Sequence, residues 1–167
     1  MSTNPNHILI EEWNPQHRRW SELLTLVNQL NQNEWFTFTT EWHISFHVLV
    51  AQRDSEIVGF LRFVIQNIGP DTDCPSVVWK GENLREAKVI AFGVPPSQRR
   101  QGIGRRLQEA LRERAQELGC YQIRSHSSGD NLENHQLKLS LGYGVHPIIR
   151  GEDRRGVYFI LPLRRLE

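Results

Sequence analysis

The residues best suited to chemistry lie between positions 89 and 107, where a hydrophobic strand pattern runs into a turn rich in glycine and arginine. The turn, residues 99–104, precedes a segment with helical periodicity. A helix start presents unpaired backbone N–H groups and the positive end of its dipole. Gly102 and Gly104 carry no side chain, so an anion can approach the backbone closely. Arginines at 99, 100, 105 and 106 surround the turn. The segment therefore predicts a pyrophosphate site.

Two other phosphate-binding patterns do not fit this turn. The Walker A pattern requires Gly-Lys-Ser/Thr, which is absent from the sequence. The dinucleotide fingerprint requires a third glycine three residues after the second, and Leu107 occupies that position. The dinucleotide strand also opens its domain, whereas this one lies in the second half of the chain. The turn is thus of another kind.

The spacing Arg99-x-x-Gly102-x-Gly104 resembles the signature Gln/Arg-x-x-Gly-x-Gly/Ala of the GNAT superfamily of acetyltransferases, in which it binds the pyrophosphate of coenzyme A. In that family the turn follows a buried strand with a hydrophobic-x-Val-x-Pro-like end, and residues 92–95 read Phe-Gly-Val-Pro. A second family segment resembles Asn-x6-Tyr-x3-Gly-Phe. Its Asn, Gly and Phe positions correspond to Asn131, Gly142 and Tyr143, and the likeness as a whole runs from Leu9 to Leu163.

The resemblance implies an enzyme that uses acetyl-CoA, or another acyl-CoA, as co-substrate without a metal. In the family, the strand corresponding to residues 88–94 pairs with the pantetheine arm, and the next strand, residues 121–127, splays away. A backbone N–H near residues 92–94 would then polarise the thioester carbonyl. The resemblance assigns CoA binding to Phe92, Gly93, Val94, Arg99, Arg100, Gln101, Gly102, Ile103, Gly104, Arg105, Asn131 and Lys138.

The acid that protonates the departing thiolate is open. Many family members place a tyrosine four residues before the glycine of the second segment, and here that position is Lys138. An ammonium could stabilise or protonate a thiolate. Alternatively, Lys138 is a solvated helix residue that reaches the CoA phosphates. Tyr143 is the second candidate acid, although its alignment with the family's phenylalanine favours a place in the core.

The base that takes the proton of the attacking amine is also open. The family mechanism is direct attack of a neutral amine, so no nucleophilic serine or cysteine is required. His126 lies at the end of the strand that splays, and imidazole titrates near neutral pH. The ordinary alternative is a surface histidine. Glu82 and Glu86 are further candidates, expected to be solvated, and would need raised pKa values to act at neutral pH.

Aromatic residues cluster where the family builds its acceptor site. They either pack in the core or line a pocket for an amine with an aromatic or apolar group: Trp35, Phe36, Phe38, Trp42, His43 and Trp79. The first hypothesis is an N-acetyltransferase that acts on an amine of a small molecule or of a peptide. A second hypothesis is a non-catalytic acyl-CoA sensor of the same fold. A third hypothesis, a nucleic-acid-binding domain, is supported only by the arginine cluster, and the net charge of +1 argues against it.

The overall composition agrees with one domain spanning residues 1–167. Hydrophobic residues make up 38% and charged residues 23%, typical of a folded globular chain. Cys74 and Cys120 have no metal or disulfide pattern, and we expect a loop thiol and a buried residue. No signal peptide or membrane-length apolar run is visible, which predicts a cytoplasmic protein. Nucleic acid and membrane are not expected as partners, and a homodimer is one option for the oligomeric state.

Hydrophobic periodicity predicts an α/β (α+β) fold similar to GNAT proteins. We expect a mixed central sheet of about seven strands flanked by about four helices, with a splayed parallel pair around a right-handed crossover. Asn14 should cap the first helix, with Pro15 at its first position. The predicted strands are 7–13, 46–52, 56–68, 88–94, 121–127, 145–149 and 157–163. The first predicted helix begins at Asn14, two more span 103–118 and 131–141, and residues 34–45 form either a short helix or a covering loop. Residues 67–86 are predicted to form a loop and residues 151–156 a turn.

Overall fold

A central mixed sheet carries the whole arrangement. The computed structural model describes residues 7–147 and 156–167. The strands are β1 (Leu9–Trp13), β2 (Ser45–Arg53), β3 (Glu56–Asn67), β4 (Val78–Trp79), β5 (Glu82–Asn83), β6 (Arg85–Gly93), β7 (Gln122–Ser128), β8 (Gly144–Pro147) and β9 (Gly156–Pro162). The helices are α1 (Trp20–Gln29), α2 (Asn33–Thr37), α3 (Ile103–Glu117) and α4 (Leu132–Ser140).

Seven of these strands form one sheet in the order β1-β2-β3-β6-β7-β9-β8, while β4 and β5 form a separate small hairpin. Neighbouring strands are antiparallel except for β6 and β7, which are parallel. The crossover between β6 and β7 is α3, as a parallel connection requires. The predicted mixed sheet, its seven strands and four helices, and its parallel pair are confirmed.

Helices bury apolar stripes on both faces of the sheet. On one face α3 turns Ile103, Leu107, Leu111 and Ala115 inwards against β2, β3, β6 and β7. On the other face α1 and α2 bury Leu23, Val27 and Phe36 against Val50 and Phe60. Because the sheet is covered on both faces, β3 reads as a nearly continuous apolar run.

The first helix begins later than the sequence predicts. Asn14 does not cap it: α1 starts at Trp20, after a turn over residues 14–19. The Asn14 side-chain oxygen accepts a hydrogen bond from the backbone N–H of Gln16 at 2.9 Å, and the N–H of His17 donates to the Asn14 carbonyl. Asparagine before proline satisfies its own turn in this way, so the predicted cap forms a local turn instead.

Most of the remaining boundaries lie within about two residues of the prediction, but β6 begins at Arg85, inside the predicted loop 67–86 and before the predicted strand 88–94. Gly119 ends α3 with a φ of 76°, and the side chain of Asn131 caps α4 by accepting from the Asn134 N–H. The ambiguous aromatic segment contains the short helix α2. The long loop contains a 3₁₀ turn at Pro70–Thr72 and the hairpin of β4 and β5. The predicted turn 151–156 and the end of strand 145–149 lie largely outside the described residues.

Candidate active site

The parallel strands β6 and β7 separate halfway along their length. They pair from Glu86 and Gln122 to Val89 and Ser125. Both strands continue, β6 to Gly93 and β7 to Ser128, and in the described chain no later residues of the two strands pair with each other. The predicted splay is therefore present. It leaves the backbone edge of residues 90–93 unpaired on the β7 side.

A bulge in β6 marks the point of separation. On the neighbouring strand, Arg62 lies opposite Ala91 while the next residue, Phe63, lies opposite Val89. Ile90 is thus an extra residue on β6. Bulges bend a strand, increase its twist and redirect the groups beside it. A bend at this position accounts for the end of the pairing between β6 and β7 after Val89 and Ser125.

The turn after β6 has the backbone geometry that an anion cradle requires. Arg100 and Gly102 have φ values of 61° and 81°, so the chain passes through left-handed conformations just before α3. Among the described residues no side chain caps α3, and its first turn holds no acidic residue. Ile103 is almost fully buried and anchors the helix start in the core. The first N–H groups of α3 consequently remain available to an anion.

Glycines at two positions bring the cradle and the opening together. A Cβ on Gly104 would stand 3.2 Å from the Phe92 ring and 3.5 Å from the Leu137 side chain, so Gly104 sits between β6 and α4. A Cβ on Gly93 would stand 2.8 Å from Leu30 and 2.9 Å from Phe60. Gly93 is therefore required by packing against Leu30 and Phe60 on the face of the sheet that α1 covers. The sequence motif of residues 92–95 does not indicate this reason.

The arginines around the cradle are solvent-exposed and weakly held. Arg99 donates to the Val94 carbonyl at 3.0 Å, and Arg105 donates to the Ser140 hydroxyl at 2.8 Å. Arg100 meets Glu133 at 3.5 Å, with both side chains more than half exposed. Such surface contacts contribute little energy and exchange readily. These guanidinium groups can accordingly turn toward a phosphate without a large cost.

One of the two sequence-based interpretations, that Lys138 is a solvated residue, is wrong. Its side chain is fully buried, with Nζ donating to Gln108 Oε1 at 2.9 Å and lying 4.8 Å from the ring centre of Tyr143. Lys138 lies on the face of α4 that meets α3. Because a charged side chain is not expected on a buried helix face, the hydrophobic periodicity of the sequence does not indicate this position. Burial lowers the pKa of Lys138 to about 7. Its ammonium does not extend toward solvent, where CoA phosphates would lie.

Tyr143 is part of the core, as its alignment favours. It is 5% exposed, and burial raises the pKa of its hydroxyl above the usual range. The hydroxyl is buried with no hydrogen-bond partner in the described chain. Both candidate acids, Lys138 and Tyr143, thus lie together beneath α4. The Lys138 ammonium contacts Gln108 of α3 and the Tyr143 ring, and Tyr143 belongs to the hydrophobic core.

The candidate bases occupy three different environments. His126 is exposed and lies on β7 one residue beyond the last rung shared with β6, its ring 5.6 Å from that of Tyr158. Glu82 is exposed and pairs with Arg164 at 3.1 Å, which agrees with a solvated residue. Glu86 is 1% exposed, so the expectation of a solvated side chain there is wrong.

The surroundings of Glu86 form a closed polar group. One carboxylate oxygen accepts from Gln66 at 2.9 Å and the other from Gln122 at 3.0 Å, while Arg124 donates to both. Its oxygens are therefore engaged as acceptors by donors on the two strands that flank β6, namely β3 and β7. The geometry ties the strands together at the start of the parallel pair and leaves Glu86 poorly placed to take a proton.

An ion cluster that sequence reasoning missed stands beside the opening. Asp71, from the 3₁₀ turn, pairs with Lys88 at 2.6 Å and with Arg124 in a shorter contact. Burial alone would raise the pKa of Asp71, but the hydrogen bonds and charges of Lys88 and Arg124 hold it at about 2. Lys88 and Arg124 face each other on the rung before the strands separate. The alternation of Glu86 and Lys88 along β6 was the signal that could have indicated it.

The aromatic residues divide between core and surface. Phe36 is buried, whereas Trp35 is 50% exposed, Phe38 38% and Trp79 40%. The guanidinium of Arg62 lies beneath this surface and donates to the carbonyls of Trp35 and Phe38. Core packing therefore explains Phe36, and it does not explain the exposed rings.

Thiols, metal ligands and membrane spans add little to the site. Cys74 is exposed and Cys120 is buried, as expected, and burial raises the pKa of Cys120 to about 11. Within residues 7–147 and 156–167 no three His, Cys, Asp or Glu side chains are grouped to hold a metal. In the same ranges, no helix combines the length and apolar character that crossing a bilayer demands.

The sheet with diverging parallel strands and a glycine turn at the following helix start is the arrangement that the GNAT resemblance predicts. The sequence matches the Acetyltransferase (GNAT) family over residues 7–143. This chain therefore belongs to the GNAT acetyltransferase family. None of the curated proteins matches its sequence.

Solved structures share the fold at low sequence identity. One is a Klebsiella pneumoniae protein designated an acyl-CoA N-acyltransferase, with a TM-score of 0.67 and 15% identity over 95% of this chain and 99% of that one. The ribosomal-protein-S18-alanine N-acetyltransferase of Escherichia coli has a TM-score of 0.63 and 16% identity, covering 96% and 97%. Arabidopsis thaliana NAA60 in complex with acetyl-CoA has a TM-score of 0.65 and 14% identity, covering 92% and 96%.

Proposed function

We propose that this chain transfers an acetyl or other acyl group from acyl-CoA to a primary amine, by direct attack in a ternary complex. The observation that carries the proposal is the separation of β6 from β7 after Val89 and Ser125, with an uncapped helix start directly behind it. The opening offers an unpaired strand edge for an extended amide chain. The helix start offers N–H donors for a pyrophosphate. Acyl-CoA contains both groups.

The residues present suit this donor. Gly102 and Gly104 leave the backbone open, and Arg99, Arg100 and Arg105 are exposed around it. The edge of residues 90–93 would pair with the pantetheine amides, and an N–H near Phe92–Val94 would polarise the thioester carbonyl. Structures of the same fold with acetyl-CoA bound support acetyl-CoA as the donor. Asn131 would support the donor site without contacting acyl-CoA through its side-chain oxygen, because that oxygen caps α4.

The proposed reaction transfers the acyl group directly from the sulfur of CoA to the nitrogen of the amine. The amine nitrogen bonds to the thioester carbonyl carbon, the C–S bond breaks, and the sulfur leaves as the CoA thiolate. His126 is our proposed base for the proton of the amine, because it stands on β7 just past the last rung. The thiolate takes a proton from water, since Lys138 and Tyr143 are buried against α3 and α4. We assign those two residues to packing.

A non-catalytic acyl-CoA sensor of the same fold is the alternative. The substitution of the family's tyrosine by a buried lysine at 138 favours it, because the usual acid is missing. A thiol-release assay with acetyl-CoA and a panel of small amines and peptides separates the two. Amine-dependent release above the uncatalysed rate supports the enzyme. Acetyl-CoA binding without release for any amine supports the sensor.

A further inference from the structure

Arg62 is a buried cation without an acidic partner. It is 6% exposed, and in the part of the chain that the structure describes no carboxylate lies within ion-pair distance of it. Its Nη1 donates to the carbonyls of Trp35 and Phe38 at 3.1 and 2.8 Å. Carbonyl oxygens satisfy donors but do not neutralise the charge, and an unpaired buried charge is costly.

The neighbouring cations are already matched. Lys88 and Arg124 share Asp71, and Arg124 also holds Glu86. Three cations and two carboxylates therefore occupy this stretch of the sheet, and the excess charge belongs to Arg62. Arg62 lies opposite Ala91, beside the bulge at which the proposed thioester site begins. A ligand anion at Arg62 would thus be close to the reacting amine.

Unused hydrogen-bond donors accompany this charge. The Nδ1 of His43 accepts from the Thr40 N–H at 3.3 Å, so the neutral ring carries its proton on Nε2. That Nε2, together with Trp42 Nε1 and Thr40 Oγ1, is buried without a partner in the described chain. Burial, with the charges of Arg62 and Lys88, lowers the pKa of His43 and keeps the ring neutral. These groups can donate, and an acceptor-rich anion would use them.

An exposed aromatic surface covers the same place. The His43 ring packs edge-on against Phe38 and Phe46, at 6.0 and 5.8 Å between ring centres. The Arg62 guanidinium lies 5.3 Å from the Phe46 ring. Phe46 is 51% exposed and Phe38 38%. Exposed rings rimmed by polar groups are typical of a ligand-binding surface.

We propose that the acceptor is an amine that also carries a carboxylate and an apolar or aromatic group, of the amino-acid type. The planar fork of Arg62 and the Nε2–H of His43 would bind the carboxylate. Phe38 and Phe46 would cover the apolar group. This inference rests on the proposed function for the fate of the amine, and it concerns the specificity of the acceptor site.

Matched amines test it. With acetyl-CoA, kcat/KM is measured for phenylalanine, phenylalaninamide and phenethylamine, which share one side group and differ in the carboxylate. We expect the free acid to be preferred at least tenfold, mainly through KM. The amide has the less basic amine and would be favoured by chemistry alone, so a preference for the acid reports recognition.

Variants locate the recognition. Arg62→Gln should abolish the preference, and His43→Phe, which keeps the aromatic packing, should reduce it severalfold. Arg112→Gln, an exposed cation on α3, should leave it intact. Circular dichroism verifies that each variant is folded. Equal rates for the acid and the amide, or a preference that survives in folded Arg62→Gln, would overturn the proposal.

A binding arm separates this inference from the proposed function. The reaction product, N-acetylphenylalanine, and its amide are titrated into protein saturated with CoA. Tighter binding of the acid that depends on Arg62 supports the anion site even if no amine is acetylated, in which case only the catalytic proposal fails. Equal binding of the acid and the amide contradicts the anion site whatever the turnover.

Discussion

Lys138 shows what a buried charge does to stability. The unfolded chain binds a proton at Lys138 up to its ordinary pKa of 10.5, whereas the folded protein does so only up to about 7. Between these values the unfolded state holds more protons, so stability rises with pH. Below pH 7 both states are protonated and the penalty is constant. The ammonium is therefore a cost that grows as the pH falls from 10.5 to 7.

Replacing Lys138 with methionine should remove this cost. We expect Lys138→Met to be more stable than the parent near pH 7, with an advantage that shrinks steadily toward pH 10.5. Urea unfolding across that range measures it, with Lys80→Met, an exposed lysine, as control. The loss of the Gln108 hydrogen bond is independent of pH, so an advantage that does not vary with pH would contradict the assigned pKa.

His126 carries the catalytic proposal at the residue level. His126→Gln keeps much of the size and hydrogen bonding but cannot take the amine's proton. We expect kcat to fall about a hundredfold, because general base catalysis contributes about that much. We also expect the pH dependence of kcat near neutrality to disappear, because the group that takes the proton is gone. Acetyl-CoA affinity should not change. The exposed His7→Gln is the control. A variant with the parental rate and pH profile would exclude His126 and point to a water relay.

Among the elements, the 3₁₀ turn at Pro70–Thr72 stands out because it holds β6 and β7 together at the last rungs before they separate. Its Asp71 bridges Lys88 of β6 and Arg124 of β7. The pairing depresses the pKa of Asp71 to about 2 from an ordinary value of 3.8. Its contribution to stability is therefore present above pH 3.8 and is lost as the pH falls toward 2.

Removing that charge should loosen the strand pair. Asp71→Asn leaves Lys88 and Arg124 facing each other without the shared acid, and we expect a loss of about 3 kcal/mol, as for other broken buried pairs. Chemical unfolding at pH 7 measures the change, and the difference from the parent should vanish near pH 2. Asp54→Asn, at an exposed turn between β2 and β3, should behave like the parent. Equal stability of Asp71→Asn at pH 7 would show that the cluster does not hold the strands.

Elements set by local pattern could be predicted, and those set by distant partners could not. The strand β6, the glycine turn and α3 follow from adjacent residues, so their order was visible in the sequence. The burial of Lys138 depends on Gln108, thirty positions away on another helix. Likewise Glu86 is buried because Arg124 meets it across the parallel pair. The predicted helix cap at Asn14 is wrong because an asparagine that caps a helix and one that closes a local turn look alike in sequence.

For the whole molecule, the opening joins two different surfaces. The cradle of residues 99–104 lies on the side of α3 and α4, where the donor's phosphates would bind. Arg62, His43 and the exposed aromatic rings lie on the side of α1 and α2. The unpaired end of β6 runs between them. Donor and acceptor could then bind at the same time from opposite faces of one sheet, and direct transfer in a ternary complex requires that both be bound together.

The most direct test of this account is calorimetric titration of acetyl-CoA into the parent protein, Gly104→Asp and Gly104→Ala. The two substitutions place the same Cβ near Phe92; only aspartate adds a negative charge at the start of α3, where it would repel the pyrophosphate. We predict that Gly104→Asp, folded by circular dichroism, binds at least tenfold more weakly, about 1.4 kcal/mol, while Gly104→Ala, which the family signature accepts at this position, loses much less affinity. Parental affinity in folded Gly104→Asp would contradict the placement of acyl-CoA on this turn.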